Sequence, residues 1–421
     1  MDILIRDAKL ETGETVNIAV EDGFITAIQA ELEGHSKLEL QANGKLVIPA
    51  FVNGHLHACK SFWREPLSKL EQDFDFTNMG ARFAAIAKVK QHYSKEEVAT
   101  RAERSIRLAL QHGTCAIRLF ADVDSDAGLR ALEGLLEVRE KYREIMTVQV
   151  VAFPQNGVFR SRTSTESLLQ QALEMNIDAL GGIPWLEPSE ESQKAHVDLI
   201  LEMAKKHDLD AHFVLDDTED PTARSTEYVA ARTIELGLQT RVHGTQANAL
   251  AYYDDAHAAR VIRLIKEADM TIFSNAHVAL ITTNLRHQPA PRGMTRVKEL
   301  IAAGVPVATA QDDIDNPYYP FGRNDLLEVA QYMAHLGQFA WGDEINRVLE
   351  MVTNVPAKVL KLEHYGLRVG CKANILILDA ANWRDAVQFQ AEKSFVIVNG
   401  KLVSRANRTQ EFLIYSGFRI H

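Results

Sequence analysis

The chain has 421 residues and a net charge of −11, from 46 basic against 57 acidic side chains. That balance disfavours nucleic acid as the main partner, because no basic patch emerges to neutralise phosphates. No uninterrupted apolar stretch approaches a membrane span, and three scattered cysteines (Cys59, Cys115, Cys371) are too few for a disulfide framework. The N-terminus, Met1-Asp2-Ile3-Leu4-Ile5-Arg6-Asp7, carries acids where a signal peptide is basic. A soluble cytoplasmic protein with one large domain and a smaller one is expected.

In chain order, Asp2–Ile5, Val16–Val20 and Phe24–Ile28 read as short strands, with Asp22-Gly23 as a hairpin turn. An apolar run, Ile48-Pro49-Ala50-Phe51-Val52, then leads into Asn53-Gly54-His55-Leu56-His57. Further strands are expected over Thr114–Phe120, Met146–Phe153, Ala179–Ile183, Asp210–Val214, Thr240–His243, Met270–Ser274 and Pro306–Ala310. Between them, apolar residues at spacings of three and four predict helices over Lys95–Gln111, Ala127–Tyr142, Thr165–Met175, Lys194–Lys206, Ser225–Glu235, Ala256–Glu267 and Gly293–Ala303. Gly113, Gly237 and Gly304 stand just past helix ends, where a left-handed cap favours glycine. The β texture returns at Asn374–Leu378 and Phe395–Val398, and Asn399-Gly400 turns into Lys401-Leu402-Val403.

This alternation predicts an α/β protein, a deformed (β/α)8 TIM barrel over residues 47–360. Residues 1–46 and 361–421 are expected to form one small β-sandwich domain from both termini. A doubly wound open sheet is the alternative, but nothing like GxGxxG follows the first middle strand. In a barrel the active residues belong at strand C-terminal ends. His55 and His57 end the first of these strands, and a strand's period of two puts both imidazoles on one face. His212 ends the fifth and Asp312 follows the eighth. Alone, His212 reads as readily as an interior histidine and Asp312 as a helix N-cap. Together the four make three imidazoles and a carboxylate, a normal set for one divalent ion, zinc or iron.

The arrangement resembles the amidohydrolase superfamily, in its cytosine deaminase-like and triazine-ring amidohydrolase branch. The resemblance runs over essentially the whole chain. It includes Val150-Val151-Ala152-Phe153-Pro154-Gln155-Asn156-Gly157, Gly293-Met294-Thr295-Arg296-Val297-Lys298-Glu299-Leu300 and Gln311-Asp312-Asp313. It continues through Pro317-Tyr318-Tyr319-Pro320-Phe321-Gly322 and Tyr365-Gly366-Leu367-Arg368-Val369-Gly370-Cys371-Lys372-Ala373-Asn374. It implies a metal held by His55, His57, His212 and Asp312, a substrate-edge role for Gln155, and a homo-oligomer. Lys60 matches a lysine of the triazine enzymes' HxHxDK pattern, with Cys59 in place of the aspartate.

Four further positions depart from that branch, one being Gln311, which replaces the histidine of the family's HDD run before the metal aspartate. Its proton-shuttling glutamate, three residues after the strand-five histidine, corresponds by count to Leu215. Its histidine after strand six corresponds to Gln246, and one near the end of strand two to Phe120. Asp216, brought inward by a one-residue bulge, is one replacement for the glutamate. His243 and His277 are others, each able to act as an acid or an oxyanion donor and each equally readable as structural. Lys60 is expected to polarise a substrate carbonyl or to sit in a surface ion pair, and Asp312 to act as base. Gln155 and Gln246 suit a heterocycle edge, and Phe120, Trp185 and Tyr318 are expected to shape the pocket. The expected function is metal-dependent hydrolysis of a C–N bond in a small polar heterocyclic or ureido compound. The alternative is a barrel that binds a heterocycle without catalysis.

Overall fold

The computed structural model describes residues 1–68, 76, 79–283 and 292–408. Five strands open the chain: β1 (Ile3–Lys9), β2 (Thr15–Glu21), β3 (Phe24–Gln29), β4 (Leu38–Gln41) and β5 (Leu46–Pro49). Eight follow: β6 (Phe51–Leu56), β7 (Thr114–Asp122), β8 (Thr147–Phe153), β9 (Ala179–Gly182), β10 (Asp210–Leu215), β11 (Val242–Gln246), β12 (Thr271–Phe273) and β13 (Val307–Ala308). The last three are β14 (Ile375–Leu378), β15 (Lys393–Val398) and β16 (Lys401–Arg405).

β6 to β13 lie side by side in chain order, and every pair between them is parallel. All nine residues of β7 are buried, as expected for parallel strands covered by helices on one side and packed barrel on the other. The ring closes where Leu56 bridges in parallel to Asp312, just beyond β13. The protein is therefore a (β/α)8 barrel, and the strands from both termini add a second, mixed sheet.

That second sheet runs β16-β15-β14-β5-β1-β2-β3, with β4 beside β1. Its strands alternate between two interiors, as a period of two requires. Ile375, Ile377 and Ile397 join Ile5, Ile18 and Val20 in the sheet's own core, whereas Leu376, Leu378, Val396 and Val398 face the barrel's. β5, paired with β14, passes through Ala50 directly into β6, so the sheet anchors the strand that carries the histidine pair. Residues 409–421, expected in this sheet's domain, lie outside the described residues.

The helices follow the sequence pattern closely. Ser94 caps Lys95–Gln111 by accepting from Glu97 N–H, and Gly237, at φ 69°, ends Ser225–Leu236 in the left-handed region. Two departures matter for the site. β11 starts and ends later than expected, over Val242–Gln246, and so carries Thr245 and Gln246. The stretch between β13 and β14 had no predicted element, yet it forms helices over Leu326–Leu336, Glu344–Val352 and Asn354–Val359.

Candidate metal centre and cleft

β6 presses close to its neighbours at the site. A Cβ on Gly54 would stand 2.3 Å from the Phe273 ring, so only glycine lets the strand lie there. Beside it, the Asn53 amide donates to Asn324 Oδ1 (2.8 Å) and accepts from Gln311 N–H (3.3 Å). Asp312 N–H donates to the His55 carbonyl at 2.9 Å, and His57 N–H donates to the Asp312 carbonyl at 2.8 Å. These bonds hold Asp312 at φ 63°, a strained conformation for a residue with a side chain.

The side chains converge. His55 Nε2 lies 3.2 Å from His57 Nε2 and 3.2 Å from Asp312 Oδ1, and His57 Nε2 is 3.7 Å from that oxygen. Among the described residues, His55, His57 and Asp312 form a group whose ligand atoms all fall within 4.8 Å. Burial, then the Lys60 charge, drives the His57 pKa well below its usual value, so its imidazole is neutral and carries a lone pair. Burial pushes Asp312 up, but His55 and the Asn275 hydrogen bond outweigh it and hold the carboxylate below its usual range. Burial and the Asp312 charge send neighbouring Asp313 well above its own. The two neighbouring carboxyls are thus pushed in opposite directions.

Asp312 Oδ2 accepts from Gln246 Nε2 at 2.6 Å and from Asn275 Nδ2 at 2.9 Å, which aims Oδ1 at the imidazoles. His57 Nδ1 is buried with no hydrogen-bond partner. Two imidazoles and an aimed carboxylate fit a divalent ion of zinc or iron type. His212 stands one hydroxyl away. Its Nε2 is 2.7 Å from Thr245 Oγ1, which is itself 3.0 Å from His55 Nδ1, and Arg118 Nη1 is 3.5 Å from its Nδ1.

A cleft opens over this group. Gln155, Gln246, Trp185 and Tyr318 line it, all four expected from the sequence, together with Asp217. The Trp185 Nε1, the Tyr318 hydroxyl and the Gln246 Oε1 are buried there without hydrogen-bond partners. Four other expected residues are not among those lining it. Phe120 packs behind the imidazoles, its ring centroid 3.9 Å from that of His55. His243 lies within the barrel, with neither ring nitrogen hydrogen-bonded. His277 spends Nε2 on the Gln311 carbonyl (3.1 Å) and stacks on Tyr332.

Lys60 is the fourth, at 1% exposure. Its ammonium donates to Asp122 Oδ1 (2.8 Å) and to Gln155 Oε1. Asp122 is also 3.3 Å from Lys90, which pairs with Asp124. The result is a buried quartet of alternating charge. Burial pushes Asp122 up, but Lys60 and Lys90 outweigh it and hold the carboxylate below its usual range.

Leu215 is still within β10 and packs against Gly244. Asp216 turns away to cap the next helix, accepting from Ser225 N–H (3.2 Å) and Thr226 N–H (2.7 Å). Asp217, which the sequence reading did not select, is the carboxyl that reaches the cleft. It is half-buried and accepts from Asn248 Nδ2 at 2.7 Å. Burial and then the Asp312 charge raise its pKa to about 7. Its signal in the sequence was the second acid of a pair directly after an apolar strand.

Comparison with known proteins places this geometry. A family model described as "Amidohydrolase family" matches residues 39–404. The N-isopropylammelide isopropyl amidohydrolase of Pseudomonas sp. (strain ADP) is 31% identical over 96% of this chain and 97% of its own. A pterin deaminase of Rhizobium rhizogenes is 28% identical over 93% of this chain and 88% of its own. The 5-methylcytosine deaminase of Klebsiella pneumoniae, crystallised with phosphonocytosine, superposes with a TM-score of 0.90 at 29% identity, covering 97% of this chain and all of the other.

Proposed function

The chain belongs to the amidohydrolase family, and from that premise we propose that it is a metal-dependent hydrolase of C–N bonds other than peptide bonds, acting on a small polar heterocyclic or ureido compound. The observation that carries this reading is the meeting of His55, His57 and Asp312 beneath a cleft that also holds the Asp217 carboxyl. His55, His57 and Asp312 would hold the ion, with His212 as the fourth residue of the family pattern. A divalent metal there supplies a lowered pKa for water and polarisation of a carbonyl or ring carbon.

The chain's own groups divide the remaining work. Gln155, Gln246, Trp185 and Tyr318 bind the polar edges of the substrate. Asp312 accepts the proton that water gives up as it adds to carbon. Asp217, the carboxyl that reaches the cleft and whose pKa burial raises, can deliver a proton to the departing nitrogen. The C–N bond then breaks to leave a carbonyl and free ammonia or amine. Asp217 thus takes the task that Leu215 cannot perform.

The test is elemental analysis of the purified protein, followed by screening of the metal-replete form against pyrimidines, hydantoins, triazines and N-substituted ureas. Bound divalent metal and release of ammonia or amine, lost on chelation and restored by metal, are expected. A protein that takes up no metal on reconstitution overturns the reading. Metal-replete protein that binds such rings but frees no nitrogen would leave a binding barrel instead.

A further inference from the structure

Two amides of the cleft are each turned by a neighbour with a single hydrogen-bonding sense. An ammonium only donates, so Gln155 can meet Lys60 only with Oε1, and its amino group is left to the cleft. Gln246 donates Nε2 to Asp312 Oδ2 at 2.6 Å, so its Oε1 is left buried and unanswered. The two glutamines are therefore locked in opposite senses. We propose that Lys60 is a positioning residue that fixes Gln155 as a donor, so that, with Gln246 fixed as an acceptor, the cleft selects a ring presenting a carbonyl to Gln155 and an N–H to Gln246. The ligand class rests on the hydrolase reading above; the locking of Gln155 does not.

The lock is rigid because Lys60 cannot turn away. Its ammonium lies 2.8 Å from Asp122, Asp122 is 3.3 Å from Lys90, and Lys90 pairs with Asp124. Lys60 and Lys90 are 1% and 0% exposed, so neither ammonium can exchange a protein partner for bulk water. The next residue, Asn156, is held in the same way, its Oδ1 3.4 Å from Lys90 and its Nδ2 donating to Asp126 Oδ2 at 2.9 Å. Two successive side chains of the loop after β8 are thus clamped, one to each lysine. A quartet built only for stability would not need to spend an ammonium on a residue that lines the cleft.

The experiment uses the metal-loaded protein and a graded set of probes: cyanuric acid, ammelide, ammeline and melamine, in which ring carbonyls are replaced one by one by amino groups. Dissociation constants are measured for all four, and KM and kcat for any that is turned over. Wild-type protein is expected to bind more weakly along the series. Lys60→Met frees the amide to flip, and the spread should shrink by about tenfold or more, with KM changing more than kcat. Lys60→Arg keeps a donor in place and should restore the spread. Gln155→Glu keeps the pairing with Lys60 but turns an acceptor to the cleft, and should reverse the order.

An undiminished spread in Lys60→Met, or an unchanged order in Gln155→Glu, overturns the proposal. Should Lys60→Met fail to fold, Gln155→Glu decides alone. If the wild-type protein releases nitrogen from a ureido compound yet shows no preference along the series, the proposal falls and the hydrolase reading stands. A clear preference in a protein that hydrolyses nothing has the opposite meaning.

Discussion

The quartet Lys60–Asp122–Lys90–Asp124 and the group His55–His57–Asp312 occupy the same rim of the barrel, and both are buried. In the quartet each charge has an opposite neighbour within 3.3 Å. Even Asp122 Oδ2, which has no hydrogen bond, faces Lys90 at 3.3 Å, whereas the imidazole–carboxylate group and its cleft leave His57 Nδ1, Gln246 Oε1, Trp185 Nε1 and the Tyr318 hydroxyl unpaired. Unanswered buried polar atoms cost free energy, so a fold keeps them where a ligand will answer them. The contrast separates a cluster that holds shape from one that waits for a ligand.

The strongest way to break that contrast is at Asp217. Asp217→Asn should lower kcat by about a hundredfold to ten-thousandfold, as removal of an acid or base does. The same change should stabilise the metal-free protein in alkali. The folded-state pKa of Asp217 is raised to about 7, so its ionised form costs stability progressively as pH rises from about 4 to 7. The Tm gain of Asp217→Asn should accordingly be absent near pH 4 and reach its plateau above pH 7. A flat Tm difference across that range would deny the raised pKa.

Lys90→Met probes the other cluster. It strips Asp124 of its pairing lysine in a dry site and should cost about 3–5 kcal/mol in denaturant unfolding. Metal content per folded chain should stay unchanged, and a parallel fall would mean that the two clusters are one. The smallest effect is expected from Asn275→Ala, which removes the bond at 2.9 Å that aims Asp312. Competition against a chelator should show metal affinity reduced by about 10- to 100-fold.

The barrel was legible in the sequence because parallel buried strands are apolar runs and amphipathic helices carry their own period. His55 and His57 were legible as a spacing, and Asp312 as an acid after the last strand. Asp217 was missed because counting three residues from His212 assumes where the strand stops, and β10 continues through Leu215. Asp216, the more obvious choice, is consumed by capping the helix that begins at Ser225. No spacing could reveal the quartet, since Lys60, Lys90 and Asp122 meet only through the packing of three separate elements. Thr245 was likewise hidden while strand six was read as ending at His243.

The seam where Leu56 meets Asp312 has a consequence for how the molecule is made. Two imidazoles emerge with the first barrel strand, but the carboxylate beside them arrives only after all eight barrel strands have left the ribosome. A nascent or truncated chain therefore offers a bare histidine pair, and an ion held as proposed would be retained tightly only once the last strand docks on the first. Such an ion would act as a clasp, its grip favouring the closed ring over any partly opened form.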